Sequence, residues 1–262
     1  MTEARIHIGT SGWHYEHWEG PFYPEGVAKG DYLDFYVEHL HTVEINNTFY
    51  QLPEEKTLRN WMGTVPESFV FAVKAGRYIT HMKKLKDPEE PLATFLGRIQ
   101  VLGDKLGPIL FQLPPRWHFN RERLAAFLEV LPSRHRYAFE LRDPSWLNDE
   151  AYEILEAHHA ALCIYDFHGR QSPKKVTADF VYVRLHGPYG AYRGKYSLET
   201  LAGWAGAFST WSRQGKDVYC YFDNDEAGYA VQNALELQSM FAGDDALYRS
   251  ETRGGIHAAD GF

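Results

Sequence analysis

The sequence predicts a single (β/α)8 barrel of parallel strands, and three observations carry that prediction. Short strand-like runs alternate with helical runs along the whole chain, which is the signature of a parallel sheet covered by helices. Eight such strands can be counted in 262 residues, the usual size of one closed barrel. The strands carry polar residues on one phase. An open doubly wound sheet would need near-continuous apolar strands at its centre, whereas a closed barrel can turn a polar phase inward.

The strand Thr42–Tyr50, TVEINNTFY, shows the pattern best. Val43 and Ile45 are β-branched and apolar, and Glu44 and Asn46 between them are polar. With helices packed outside, the polar phase looks into the barrel, where an unpaired carboxylate is costly and needs a partner or a role. Before this strand, RIHIGT sets Ile6 and Ile8 against His7 and Gly9 and breaks into the aromatic loop WHYEHWEGPFYP, and Asp31–His39 reads as a helix. After it, Pro53–Met62 starts with proline and carboxylates, a favourable helix N-terminus. FVFAVK puts Lys74 on the phase opposite Phe69, Phe71 and Val73. Pro91–Lys105 has helical spacing, and Gly107-Pro108 is expected to end it before the strand ILFQL, in which Gln112 breaks the apolar run.

A helix over about 121–131 leads to YAFELR, with Glu140 and Arg142 opposite Phe139 and Leu141. Asp149–His159 is helical, and ALCIYD ends in Asp166. FVYVRLH turns Tyr182, Arg184 and His186 inward. The helix Leu198–Gln214, the strand VYCYFD and a closing helix over 228–241 complete one domain, 1–242, followed by a polar, glycine-rich tail, 243–262.

A net charge of −8 disfavours general nucleic-acid binding, which depends on Lys and Arg neutralising phosphates. Cys163 and Cys220 each lie in an apolar strand without CxxC spacing, so two buried thiols are expected. No apolar run approaches the roughly 20 residues that span a bilayer, and a cytoplasmic protein is expected.

Collecting the inward phase at the strand ends gives Ser11, Glu44, Asn46, Lys74, Gln112, Glu140, Arg142, Asp166, Arg184, His186 and Asp223, where barrel enzymes place their active sites. A salt-bridged network that merely fills the barrel would present the same residues. Lys74, Arg142 and Arg184 form a cage for an anion. Glu140 or His186 would move the proton, with Glu44 and Asn46 orienting water or substrate. Trp13 in the aromatic loop suits stacking on a ring, and Gln112, Asp166, Asp223 and Asn224 complete the set expected around the substrate.

The first reading is an enzyme acting on a phosphorylated small substrate, with phosphoester hydrolysis as its reaction. The oxygen and nitrogen donors Glu44, Glu140, Asp166, His186 and Asp223 leave Mg²⁺ or Mn²⁺ open as a cofactor. A glycosidase using Glu44 and Glu140 is the alternative enzyme. A nucleotide- or nucleic-acid-binding protein that stacks bases on Trp13, Trp18, Tyr189, Tyr192 and Tyr196 is the alternative outside enzymes.

The segments GTSGWHYEHW, VEINNTFY, FVFAVKA followed by ITH, LGPILFQLPP, YAFELRDPSW, VYVRLHG and YFDND with YAVQNALEL occur in this order from Gly9 to about Leu237. Together they resemble the bacterial and archaeal DUF72, or YecE-like, family. The resemblance implies a TIM barrel and no settled activity. Members often read YFNN where this chain has YFDN at Tyr221 to Asn224, so Asp223 is an added acid.

Overall fold

In the computed structural model, which describes residues 4–167 and 169–241, nine strands form one sheet. They are β1 (Ile6–Ser11), β2 (Thr42–Ile45), β3 (Val70–Lys74), β4 (Leu106–Leu113), β5 (Tyr137–Leu141), β6 (Ala161–Phe167), β7 (Arg170–Gln171), β8 (Phe180–Leu185) and β9 (Asp217–Phe222). Every neighbouring pair is parallel except β6 with the short β7, and the pairing of β5 with β6 closes the eight longer strands into a barrel. The helices outside are α1 (Tyr32–Val37), α2 (Glu55–Thr64), α3 (Glu89–Ile99), α4 (Arg121–Glu129), α5 (Asp149–Ala157), α6 (Leu198–Arg213) and α7 (Tyr229–Ser239). Between β6 and β8 the hairpin with β7 stands where the other units place a helix. The expected tail, 243–262, lies outside the described residues. Among those residues no helix is long and apolar enough to cross a membrane.

The period-2 pattern sorts the strands as their sequences predict. Val43, Ile45, Phe71, Val73, Phe139, Leu141, Val181, Val183 and Leu185 belong to the large core between barrel and helices. Ala72, Leu110, Ala138, Cys163, Phe180, Tyr182, Tyr219 and Tyr221 fill the barrel itself. The two cysteines are buried and free.

Two boundaries differ from expectation. Strand β2 stops at Ile45 rather than running to Tyr50, because Asn46 takes a helical backbone (φ −100°, ψ −26°) and Asn47–Phe49 forms a 3-10 turn. Thr48 Oγ1 secures the turn by donating to the Lys74 carbonyl at 2.6 Å. Gly107-Pro108 does not precede β4 but lies inside it. Phe71 pairs with Leu106 and Val73 with Ile109, so the extra residue forms a bulge, a position in which proline's missing N–H is tolerated. Gly107 is required there, since a Cβ would meet Val70 Cγ1 at 2.5 Å.

Candidate functional site

The polar phase converges at the C-terminal end of the barrel in two tiers. The lower tier is centred on the fully buried Arg184 from β8, with Glu44 and Glu140 also fully buried and Asp223 partly so. Its Nη2 donates to Glu44 Oε1 at 2.7 Å, to Asp223 Oδ2 at 3.0 Å and to Ser11 Oγ at 3.0 Å, and its Nη1 donates to Glu140 Oε2 at 2.8 Å. Glu44 also accepts from Ser11 Oγ and, at 2.7 Å, from the Tyr182 hydroxyl. Glu140 further accepts from Gln112 Nε2 at 3.1 Å and from Arg142 Nε.

His186 sits between Asp223, with Nδ1 at 3.0 Å from Oδ2, and Arg142, with Nε2 at 3.0 Å from Nη2. Phe167 and Tyr192 cover its ring edge-on, at 5.6 and 5.7 Å. Burial opposes the charge on Glu140, yet Arg142, Arg184 and His186 outweigh it and hold the carboxyl well below the usual range. Asp223 is lowered too: burial again opposes, and Arg184 and the His186 hydrogen bond prevail. Burial works against the Arg184 cation, and Glu44, Glu140 and Asp223 outweigh it, so the guanidinium stays charged.

The upper tier lies toward the C-terminal ends of the strands. Arg142 is half-buried, with its guanidinium 4.3 Å from the Phe167 ring centroid. Lys74 ends β3 at 8% exposure, with Nζ 4.4 Å above the Phe49 ring and no hydrogen-bond acceptor among the described residues. Desolvation, aided by the Arg184 charge, pulls its pKa down to about 8. A single π-helical turn, Tyr78–Met82, sets His81 edge-on against the same Phe49 ring at 4.9 Å. Thr80 Oγ1 donates to the Gly76 carbonyl, so His81 Nδ1 donates to Thr80 Oγ1 at 2.9 Å and Nε2 is left as an acceptor. Burial and the charges of Lys74, Arg77 and Arg142 lower this histidine to about 4, keeping it neutral.

Two clefts flank the 3-10 turn after β2. One, of about 590 Å³, is lined by Thr48, Phe49, Tyr50, Arg77 and Tyr78 among others. The other, of about 660 Å³, is lined by Trp13, Asn46, Asn47, Asn60 and Trp61 among others. Asn46 joins this second cleft to the lower tier by donating to Ser11 Oγ at 2.6 Å.

Of the residues expected at the site, Glu44, Asn46, Lys74, Gln112, Glu140, Arg142, Arg184, His186 and Asp223 do come together, and Trp13 lines the adjoining cleft. Two do not join them. Asp166 pairs with Leu185 and shares the outward face of Leu162 and Ile164; burial raises its carboxyl, opposed by bonds from Gln171 and the Gly169 backbone. Asn224 also faces outward, donating to the Gly194 carbonyl and to Asn233 Oδ1, both at 2.9 Å, and so fastens the loop after β8 to α7.

The metal expectation is not supported by the donor arrangement. No group of three or more His, Cys, Asp or Glu side chains among the described residues is disposed to hold an ion, since arginines already occupy the barrel carboxylates. Trp18 and Tyr196 are buried and unavailable for base stacking, whereas Tyr189 and Tyr192 are exposed. Phe49 and His81 were not on the strand phase and could not be found by periodicity; the ITH run after β3 was the signal for His81.

Comparison with known proteins places this geometry among proteins whose activity is not described. The family model described as "Protein of unknown function DUF72" matches residues 7–253. The UPF0759 protein YunF of Bacillus subtilis is 26% identical over 90% of this chain and 94% of its own length. The UPF0759 protein YecE of Escherichia coli K12 is 29% identical over 54% of this chain and 50% of its own. The crystal structure of a family member from Thermotoga maritima superposes with a TM-score of 0.81, at 30% identity, covering 91% of this chain and 99% of that one.

Proposed function

We propose that this chain, which belongs to the DUF72 family, is an enzyme that takes a phosphorylated small substrate at the mouth of its barrel and hydrolyses a phosphoester. The observation that carries the reading is Lys74, a buried amine with no acceptor among the described residues, at the same end of the barrel as the half-buried Arg142 that follows β5. A phosphoryl group between them would accept from the Lys74 ammonium and from Arg142 Nη1, which makes no hydrogen bond among the described residues. Arg184 takes no part in holding it, because both its Nη atoms are committed to carboxylates.

Phosphoryl transfer depends on positioning and charge stabilisation more than on covalent chemistry by the protein. The neutral His81, with Nε2 able to accept, suits a hydrogen bond that orients the attacking water. Glu140 and His186 then act as positioning residues that hold Arg142. Both are fully buried, so neither is placed to meet the attacking water. A glycosidase would need one protonated and one free carboxylate; Glu140 is held ionised, and it shares Arg184 with Glu44.

Thermal denaturation with phosphate, nucleoside monophosphates, sugar phosphates and neutral sugars tests the binding part. A phosphorylated compound at 100 times its dissociation constant should stabilise the protein by about 2.7 kcal/mol. That rise should be lost in Arg142→Ala and weakened in Lys74→Ala. Stabilisation by neutral sugars alone, or by phosphate to the same extent in both variants, would refute the reading. Phosphate release from a panel of phosphoesters, abolished in His81→Asn, tests the chemistry.

A further inference from the structure

We infer that the Lys74 amine is also a nucleophile, able to form an imine with an aldehyde or ketone whose anionic group is held at Arg142. The geometry is that of an activated lysine. Nζ stands at the C-terminal end of a barrel strand, beside an aromatic face, with a second cation near it and no acceptor among the described residues to fix its proton. An exposed lysine is hydrated and almost wholly protonated at neutral pH. Lys74 is desolvated, and its pKa near 8 leaves roughly a tenth of the amine neutral at pH 7, against less than a thousandth for an ordinary lysine.

The three inner carboxylates, which could have stabilised its ammonium, are tied to Arg184, and Glu140 to Arg142 as well. The neutral His81 packs on the same Phe49 ring and has an acceptor nitrogen to exchange protons with the adduct.

The step balances without an oxidant or reductant. The neutral amine attacks the carbonyl carbon, the carbonyl oxygen takes a proton, and the nitrogen sheds one to give a carbinolamine. Loss of that oxygen as water, as the nitrogen lone pair forms the C=N bond, gives the imine. Amine and carbonyl are consumed and one water is released. The inference goes beyond phosphoester hydrolysis but relies on the same anion position at Arg142.

Pyridoxal 5′-phosphate is a suitable probe, since it carries an aldehyde and a phosphate. The full-length protein is incubated with it, reduced with cyanoborohydride and mapped by peptide mass. The expected result is saturable labelling of Lys74, at least tenfold above the exposed Lys84 and Lys86, with a pH midpoint near 8 and competition by inorganic phosphate. Lys74→Arg, checked for folding by circular dichroism, should lose the label while phosphate still raises its melting temperature through Arg142.

Label spread evenly over Lys74, Lys84 and Lys86, or a midpoint above about 10 for Lys74, overturns the inference in the wild-type protein alone. Labelling of Lys74 by pyridoxal lacking the phosphate as well as by the phosphorylated probe, with no phosphate effect on melting, would sink the anion site and leave the nucleophile standing. Absence of label from Lys74 in the wild-type protein, with phosphate still raising its melting temperature, would do the reverse and overturn the nucleophile.

Discussion

Replacing Glu140 by Gln removes one negative charge from the middle of the buried tier and keeps the side chain's size. The wild-type carboxylate accepts from Gln112, Arg142 and Arg184, lies 3.2 Å from His186 Nε2, and is fully buried. In the variant, Arg184 keeps Glu44 and Asp223, while Arg142 loses its one carboxylate partner among the described residues. Removing one partner of a buried ion pair costs about 3–5 kcal/mol, because the remaining charge stays desolvated. With an unfolding entropy of about 2.1 cal/mol/K per residue over a chain of this length, that loss lowers the melting temperature by roughly 5–10 °C.

Acid should close the gap. The folded-state pKa of Glu140 is depressed, so its stabilisation is present above the unfolded value of about 4.3 and fades as pH falls below it. The assay is urea unfolding of both proteins between pH 7 and pH 3. The exposed Glu55→Gln, which breaks only a surface pair with Arg59, serves as a control expected to change stability by less than about 0.5 kcal/mol. A Glu140→Gln cost below about 1 kcal/mol at pH 7, or a gap that widens on acidification, would refute the view that this tier is structural.

Lys74→Met should change the slope of stability against alkaline pH. The folded-state pKa of Lys74 lies below its unfolded value, so between pH 8 and about 10.4 the unfolded chain binds more protons, and wild type gains up to about 3 kcal/mol relative to the variant. Chemical denaturation of the pair across that range measures it, and a flat difference would mean that the amine is not desolvated. Asn233→Ala should loosen the loop over 187–197. Asn233 is buried and bonds Tyr196 N and O, Asn224 and Glu236, and orphaning those partners costs about 2–3 kcal/mol. Hydrogen exchange should accelerate in this loop, and unchanged protection there would count against its anchoring by α7.

The barrel and its lower tier were readable because period-2 alternation leaves little choice. Once Phe139 and Leu141 face the helices, Glu140 must face inward, and the same holds for Arg184 between Val183 and Leu185. Asp166 shows the limit of reasoning from position at a strand end. Its phase, shared with Leu162 and Ile164, already pointed outward, and the hairpin through β7 supplies the surroundings that a helix supplies elsewhere. Gly107-Pro108 had the composition of a terminator, and only pairing with β3 distinguishes a bulge from a stop. Phe49 and His81 lie in a 3-10 turn and a π-helical turn, where side-chain direction is set by tertiary hydrogen bonds such as Thr48 to the Lys74 carbonyl. No local periodicity encodes them.

Charge matching explains why chemistry should concentrate on one side of the mouth. Glu44, Glu140 and Asp223 face Arg142, Arg184 and Lys74, but the ion pairs use only the two arginines and His186. Lys74 is therefore the inner cation whose proton is held by no carboxylate in a direct pair. An incoming phosphate would supply the missing partner, raise the lysine's pKa and keep it protonated. Without an anion beside it, the same burial raises the neutral share of the amine to roughly a tenth at pH 7. A free phosphate ion that pairs with both Lys74 and Arg142 should therefore suppress imine formation, whereas the anionic group of a carbonyl compound is held by Arg142 and leaves the amine unpaired.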